Sequence, residues 1–372
     1  MRIRIAHLKL AGMCLLLALG KPWASDTTST PQKWALVPIL ISNAETGIQV
    51  GALAIRFLNP EDTLNNSSNI TFATRISQKK QVEINLIPEM YFQKNLYHLT
   101  TSINAIRWPA DFYGIGNGSD ILKDSADHYL AQGFNGDLTL ERQLWPKLFI
   151  GPQFLFNYEE IENSGIPKLL SDSVSGKSGG LVSGLGSVMT YDRRDAVYWA
   201  RRGNFLRGKA AWYRPLWGSE FSYEAYSLEA RQFLPLFETG AMGVSAILMV
   251  ENGDIPFREL STANGDKAMR GMVRGKYRDR DLLVLQGEFR SYFPEWGFLN
   301  HSWSRNRFGY ALFTEAGQVA HNLEDFSWDE FRPDFGFGIR YAMNPAQRMN
   351  IRIDIGFVDG SVAPAINIKE AF

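Results

Sequence analysis

The chain has 372 residues, and its 39 Lys and Arg balance 39 Asp and Glu, so it is formally neutral. That balance gives no electrostatic reason to expect nucleic acid or a strongly acidic partner. A single cysteine, Cys14, excludes an internal disulfide framework.

The first element is a leader. Arg2, Arg4 and Lys9 precede an apolar run from Leu10 to Leu19, and the small residues Ala24 and Ser25 follow. A basic start, a short apolar core and a small-residue exit describe a secretory signal peptide over 1–25, not a spanning helix. Cys14 lies inside that apolar core, and Met13 before it does not suit a lipoprotein site. The region 26–372 would then hold no cysteine. The stretch from Asp26 to Lys33 is too short for a folded domain ahead of the first strand, since small domains need roughly 40 residues.

From there the pattern is strand after strand. Sixteen segments fit the ~9–11 residues of a tilted membrane strand. They fall at 34–42, 46–57, 68–78, 81–92, 95–107, 128–142, 147–160 and 180–192, then 203–214, 221–234, 241–251, 281–293, 306–319, 334–343, 348–358 and 364–372. Alternation is clearest late in the chain. In 349–357, Met349, Ile351, Ile353, Ile355 and Phe357 alternate with Asn350, Arg352, Asp354 and Gly356. Period two gives one apolar and one polar face. In a soluble sandwich the apolar face packs inward; in a membrane barrel it meets lipid and the polar face lines the lumen. Some connections are tight (Gln93 to Asn95, Trp145 to Lys147), and others are long and turn-rich (108–127, 161–179, 252–280). Aromatics gather at strand ends, among them Trp108, Trp145, Trp199, Trp217 and Tyr292. Short turns on one side, long loops on the other and aromatic girdles favour an all-β fold: a single transmembrane antiparallel β-barrel of sixteen strands over 26–372.

Parity also assigns a lumenal wall. Glu315 and Gly317 share one face of 306–319; Gly338 and Arg340 share one face of 334–343; Asp354 lies on the polar face of its strand. These residues would line the same interior surface.

The loop 266–280 reads DKAMRGMVRGKYRDR. Other motifs flank it in order. Glu45-Thr46-Gly47 comes early, followed by Phe112-Tyr113-Gly114-Ile115-Gly116-Asn117 and by Tyr191-Asp192-Arg193-Arg194-Asp195 with Arg202-Gly203. Phe313-x-Glu315-x-Gly317, Gly336-x-Gly338-Ile339-Arg340, Arg352-x-Asp354 and the ending Glu370-Ala371-Phe372 come late. Taken in this order, the motifs resemble the BamA/TamA-like outer-membrane proteins, the bacterial surface antigen and assembly-factor superfamily. Met272 stands where that family usually has an aromatic residue, and Glu315 where it usually has Asp.

The resemblance implies a barrel in the Gram-negative outer membrane without the family's periplasmic polypeptide-transport (POTRA) domains. It implies that the long loop folds inward and is anchored by Arg270 and Gly271 against Glu315, Gly317, Gly338, Arg340 and Asp354. A planar guanidinium can make a bidentate pair with Glu315 that lysine would not reproduce. Phe372, a terminal aromatic on a last strand over 364–372, is similar to the signal read by the outer-membrane assembly machinery. The partners so implied are outer-membrane lipids and lipopolysaccharide, that machinery, and a secreted protein or lipid cargo. Two functions remain open: insertion or translocation across the outer membrane, and a surface-antigen barrel that binds without transport.

Enzyme chemistry finds little support. His98, His128, His301 and His321 have no metal-ligand spacing. Ser302 and His301 are neighbours in sequence, so on a strand they point to opposite faces. The glycines between Gly176 and Gly186 do not form a phosphate loop. No cofactor is expected. The charges at 192–195 read as a salt-bridge cluster at a barrel rim.

Overall fold

The computed structural model describes residues 33–43, 47–58, 66, 68–117, 126–263, 269–272, 275–293, 307–344, 348–358, 361–368 and 370–372. The leader expected over 1–25 lies outside the described residues. The strands are β1 (Trp34–Asn43), β2 (Gly47–Leu58), β3 (Ser68–Ser77), β4 (Val82–Phe92), β5 (Tyr97–Phe112), β6 (Asp127–Trp145), β7 (Leu148–Asn163), β8 (Gly179–Asp192) and β9 (Gly203–Tyr213). They continue as β10 (Tyr223–Leu236), β11 (Gly240–Gly253), β12 (Ser261–Thr262), β13 (Arg278–Asp279), β14 (Asp281–Tyr292), β15 (Phe308–Ala320), β16 (Arg332–Asn344), β17 (Met349–Val358) and β18 (Ser361–Ile368).

All but β12 and β13 form one sixteen-stranded antiparallel sheet in strict chain order; β12 and β13 make a small ribbon inside the connection from β11 to β14. The sheet curls until β18 lies beside β1. No ladder pair joins those two strands among the described residues. Each of the sixteen segments read from alternation has its strand.

Four strands differ instructively in extent from expectation. β5, β6 and β7 run to 16, 19 and 16 residues, longer than the segments read from alternation. The β5 ladder goes on past 107 with Trp108 and Phe112 turned inward and buried, so the apolar stripe of the outer face does not mark the strand end. The last strand, expected over 364–372, instead ends at Ile368.

Side-chain parity places lipid and lumen as alternation demands. Leu36, Phe72, Ile76, Leu138, Phe335 and Ile339 stand exposed on the outer face. Glu288, Arg290, Glu315, Asp334, Arg340 and Asp354 are fully buried on the inner one. No helix among the described residues is long and apolar enough to cross a membrane, which says nothing of strands. Tight connections such as 146–147 and 237–239 share one rim with the 193–202 loop, while 113–126, 164–178, 254–280 and 321–331 emerge at the other. In barrels of this kind the short-turn rim is periplasmic.

Candidate functional site: a charged lumen that holds an inward loop

The 254–280 connection folds back into the barrel and meets the wall formed by β14 to β17. The Arg270 Nε donates to Glu315 Oε1 at 2.7 Å, and the Arg270 backbone N–H donates to Glu315 Oε2 at 2.7 Å. The Nη1 donates to Glu288 Oε2 at 2.6 Å and reaches Asp354 Oδ2 at 3.4 Å. The guanidinium carbon sits 3.5 Å from the centre of the Phe313 ring, a cation–π contact. Gly271 N–H donates to Asp334 Oδ2 at 2.6 Å.

The fork expected between Arg270 and Glu315 therefore takes another form. Glu315 binds one guanidinium nitrogen and one backbone amide, and Glu288 and Asp354 take the other end of the fork. The longer Glu side chain reaches round the loop tip and fixes its backbone as well as its side chain.

Glycines make the approach possible. A Cβ on Gly356 would lie 2.6 Å from the Cα and N of Gly271, and one on Gly317 would lie 2.6 Å from Met269 Sδ. Only a residue with no side chain lets the loop tip touch the wall there. A Cβ on Gly338 would strike Asp354 Oδ1 and Arg340 Nη1, so this glycine makes room for the ion pair and not for the loop.

The wall itself is a continuous network. Arg340 Nη1 donates to Asp354 Oδ1 at 2.5 Å, and its Nε donates to Glu370 Oε2 at 2.8 Å. Arg352 pairs with Asp354, and Arg290 lies 3.4 Å from Glu288. Gln286 Nε2 donates to Glu315 Oε1 at 3.0 Å. Four arginines (270, 290, 340, 352) thus meet four carboxylates (288, 315, 354, 370) away from water, and Asp334 beside them takes the Gly271 amide. Buried charge is tolerated only when it is paired and hydrogen-bonded, and each member here depends on the others.

The structure brings all seven residues expected at the lock (Arg270, Gly271, Glu315, Gly317, Gly338, Arg340 and Asp354) to one place. Glu288, Asp334, Arg290 and Arg352 belong there too. Their lumenal parity was readable, but not that Glu288 and Asp334 bind the loop tip while Arg290 and Arg352 pair with the carboxylates of the wall. Phe372 lies elsewhere: it is buried inside the barrel, its ring 6.2 Å from that of Phe233, with its carbonyl oxygen accepting from Arg290 Nη1 at 3.2 Å. Glu370 turns inward with it to reach Arg340 and Asn350. Those two polar contacts, with the Phe233 surface, draw the segment off the sheet edge and explain the early end of β18.

A second clamp had no sequence signal. On the far side of the ring, Arg258 donates from Nε and Nη2 to the two oxygens of Glu159, each at 2.9 Å, and from Nη1 to the Tyr129 hydroxyl at 3.1 Å. This is a bidentate fork. Close by, Glu259 accepts from Asn157 Nδ2. The loop is thus held against β6 and β7 as well as β14 to β17, and it spans the lumen. Neighbouring loops close over it. Gly116 N–H donates to Arg278 O at 2.7 Å, Asn117 Nδ2 donates to Glu330 O at 2.8 Å, and Phe257 N–H donates to Ser175 O at 2.9 Å. The Asp127 carboxylate accepts the backbone N–H groups of Lys168, Leu169 and Leu170.

A sixteen-stranded barrel with a polar wall and an inward loop on an Arg-Gly tip defines a class of outer-membrane β-barrel. Residues 57–359 match the Omp85 superfamily domain, and the chain belongs to that superfamily. Its place is the outer membrane of Gram-negative bacteria. Among solved structures it is similar to BamA from Haemophilus ducreyi lacking POTRA domains 1–3, at 14% identity and TM-score 0.55 over 90% of this chain and 68% of that one. It is also similar to CdiB from Escherichia coli, at 9% identity and TM-score 0.59 over 90% and 61% of the two chains. CdiB from Acinetobacter baumannii matches at 11% identity and TM-score 0.54, over 91% and 60%. The chain thus spans about two thirds or less of each of these structures. At such identities the likeness is one of fold. No curated protein matches the chain in sequence.

Proposed function

We propose that this barrel inserts or translocates protein or lipid at the outer membrane, with the 254–280 loop as its internal lock. The observation that carries the reading is the Arg270 site. A loop tip held by a side-chain fork, two backbone amides and a cation–π contact inside a barrel is a device whose release would change the lumen. In this reading Arg270 and Gly271 are the anchor, Glu288, Glu315, Asp334 and Asp354 receive it, and Gly317 and Gly356 admit it. Gly338 and Arg340 hold Asp354 in position. Membership of the superfamily supports a non-enzymatic role, with outer-membrane lipids and the assembly machinery as partners.

The competing reading is a closed surface barrel that binds through its loops. The loop-to-loop bonds across the outer mouth favour it. Single-channel conductance in planar bilayers separates the two, with wild type beside Arg270→Ala. Small, fluctuating conductance that grows sharply in the variant supports a gated passage. Silence in both proteins would overturn the transport reading and leave the surface-binding one.

A further inference from the structure

We propose that the 193–202 loop is a second internal plug: a strap that closes the periplasmic end of the lumen and ties the two edges of the sheet across the β1–β18 seam. Its three central residues point into the barrel and grip different strands. Tyr198 packs with Ala35 of β1, Ile55 and Phe57 of β2, and Met349 of β17, and its hydroxyl accepts from Asn69 Nδ2 of β3 at 3.3 Å. Trp199, fully buried, stacks on Tyr292 of β14 with ring centres 4.4 Å apart and lies 5.1 Å from the Arg290 guanidinium. The Ala200 carbonyl accepts from Arg290 Nη2 at 2.7 Å, and its side chain packs with Phe233, Ala371 and Phe372.

The ends of the loop are fixed at the rim. Asp195 accepts from the Arg201 backbone N–H at 2.8 Å and from Arg348 Nη1 at 2.8 Å, and Arg194 forks onto Asp192. The rim charges are thus paired, as 192–195 suggested, but they frame three residues that alternation alone would leave at the surface.

The topology gives this placement its consequence. β1 and β18 lie side by side, with no ladder pair between them among the described residues, so side chains that reach across from one edge to the other add directly to what holds the seam. Three consecutive residues run from the first strands of the sheet to its later strands and to the inward-turned 370–372 segment. For the seam to part at the periplasmic rim, the hold of Tyr198 on the first strands must break, because Tyr198 meets Met349 of β17 as well as leading to Trp199. Trp199 braces that hold from the β14 side. This assignment stands whether or not the barrel moves cargo.

The test uses full-length protein with Cys14→Ser and one new lumenal thiol, Ser227→Cys, on the inner face of β10. Its rate of modification by a small hydrophilic maleimide is measured in detergent. Trp199→Ala is expected to raise that rate at least about tenfold, because losing a large buried aromatic shifts a local opening equilibrium by more than one factor of ten. Tyr198→Ala is expected to do at least as much, and the double variant to add little to Tyr198→Ala, since a strap released from the first strands is already open. Unchanged rates in folded, heat-modifiable single variants would overturn the plug. Rate increases that multiply in the double variant would overturn the strap, because they would mark two independent packings. Should Trp199→Ala not give the compact unheated form, Trp199→Leu keeps the fold's apolar fill without the stacking surface and carries the same two outcomes.

Discussion

The two ends of this barrel are closed by opposite chemistries. At the outer end the 254–280 loop is held by ion pairs: Arg270 on one wall and Arg258 on the other, both meeting carboxylates out of water. At the periplasmic end the middle of the 193–202 loop is held mainly by rings, Tyr198 in an apolar cluster and Trp199 stacked on Tyr292, with the Asp195–Arg348 ion pair at its rim. The difference teaches how each closure would fail. An ion-pair lock is specific and brittle, because removing one member leaves its partners buried and unpaired. An aromatic strap is tolerant and graded, because it loses area in proportion to what is cut.

The sharpest way to break the comparison is Arg270→Ala. Glu315 would lose its cation, Glu288 and Asp354 would each lose one of theirs, and the expected destabilisation is about 3–5 kcal/mol. It would be read as a fall in the temperature at which the folded band disappears on unheated gels. Arg270→Lys should recover only part of it, since an ammonium cannot hold Glu315 and Glu288 in the same fork.

Next in size is Gly356→Ala. The added methyl would meet the Gly271 backbone and push the loop tip off the wall. The expected cost is roughly 1–3 kcal/mol, with the loop cleaved faster in limited proteolysis. Rates matching wild type would mean that the tip does not rest where the structure puts it.

Smaller still, Tyr198→Phe removes only a hydroxyl that accepts from Asn69, at about 1 kcal/mol. The folded-band assay should barely register it, in contrast to any lesion of the lock.

The subtlest contrast is in pH. Burial pushes the Glu259 carboxyl up, and the Asn157 amide offsets that only in part. Its folded form holds its proton longer than the unfolded one, so its contribution is complete below the ordinary carboxylate range and lost as pH rises. Burial also pushes Asp195 up, but the Arg201 backbone N–H and Arg348 outweigh it and hold the carboxyl below its ordinary value. That contribution is present above the ordinary range and lost as pH falls. Glu259→Gln should therefore help the outer loop most at alkaline pH, and Asp195→Asn should weaken the strap at neutral pH with little effect in acid. Proteolysis of the two loops across pH checks both, and parallel profiles would contradict the assignment.

Much of the site was legible because period-two alternation is a local property. A residue's parity on a strand decides whether it faces lipid or lumen, so Glu315, Gly317, Gly338, Arg340 and Asp354 could be placed on one interior wall from their own strands. Arg270 and Gly271 became readable only through their resemblance to a family pattern. The Arg258–Glu159 fork gave no such sign: a loop arginine and a strand glutamate about a hundred positions apart look like any two surface charges. Trp199 looked like a girdle aromatic at a strand end, and its burial against Tyr292 depends on a loop turning inward.

By itself, then, the sequence determined the strands, their order, which face of each meets lipid and the polarity of the lumen, because each of these follows from neighbours along the chain. The tertiary structure alone decided which charges share a water-poor interior, how the loop spans it, that residues 370–372 leave the sheet, and that 198–200 bridge the seam. Those outcomes depend on ladder register and on closing the sheet into a ring, which bring together residues that no local pattern connects.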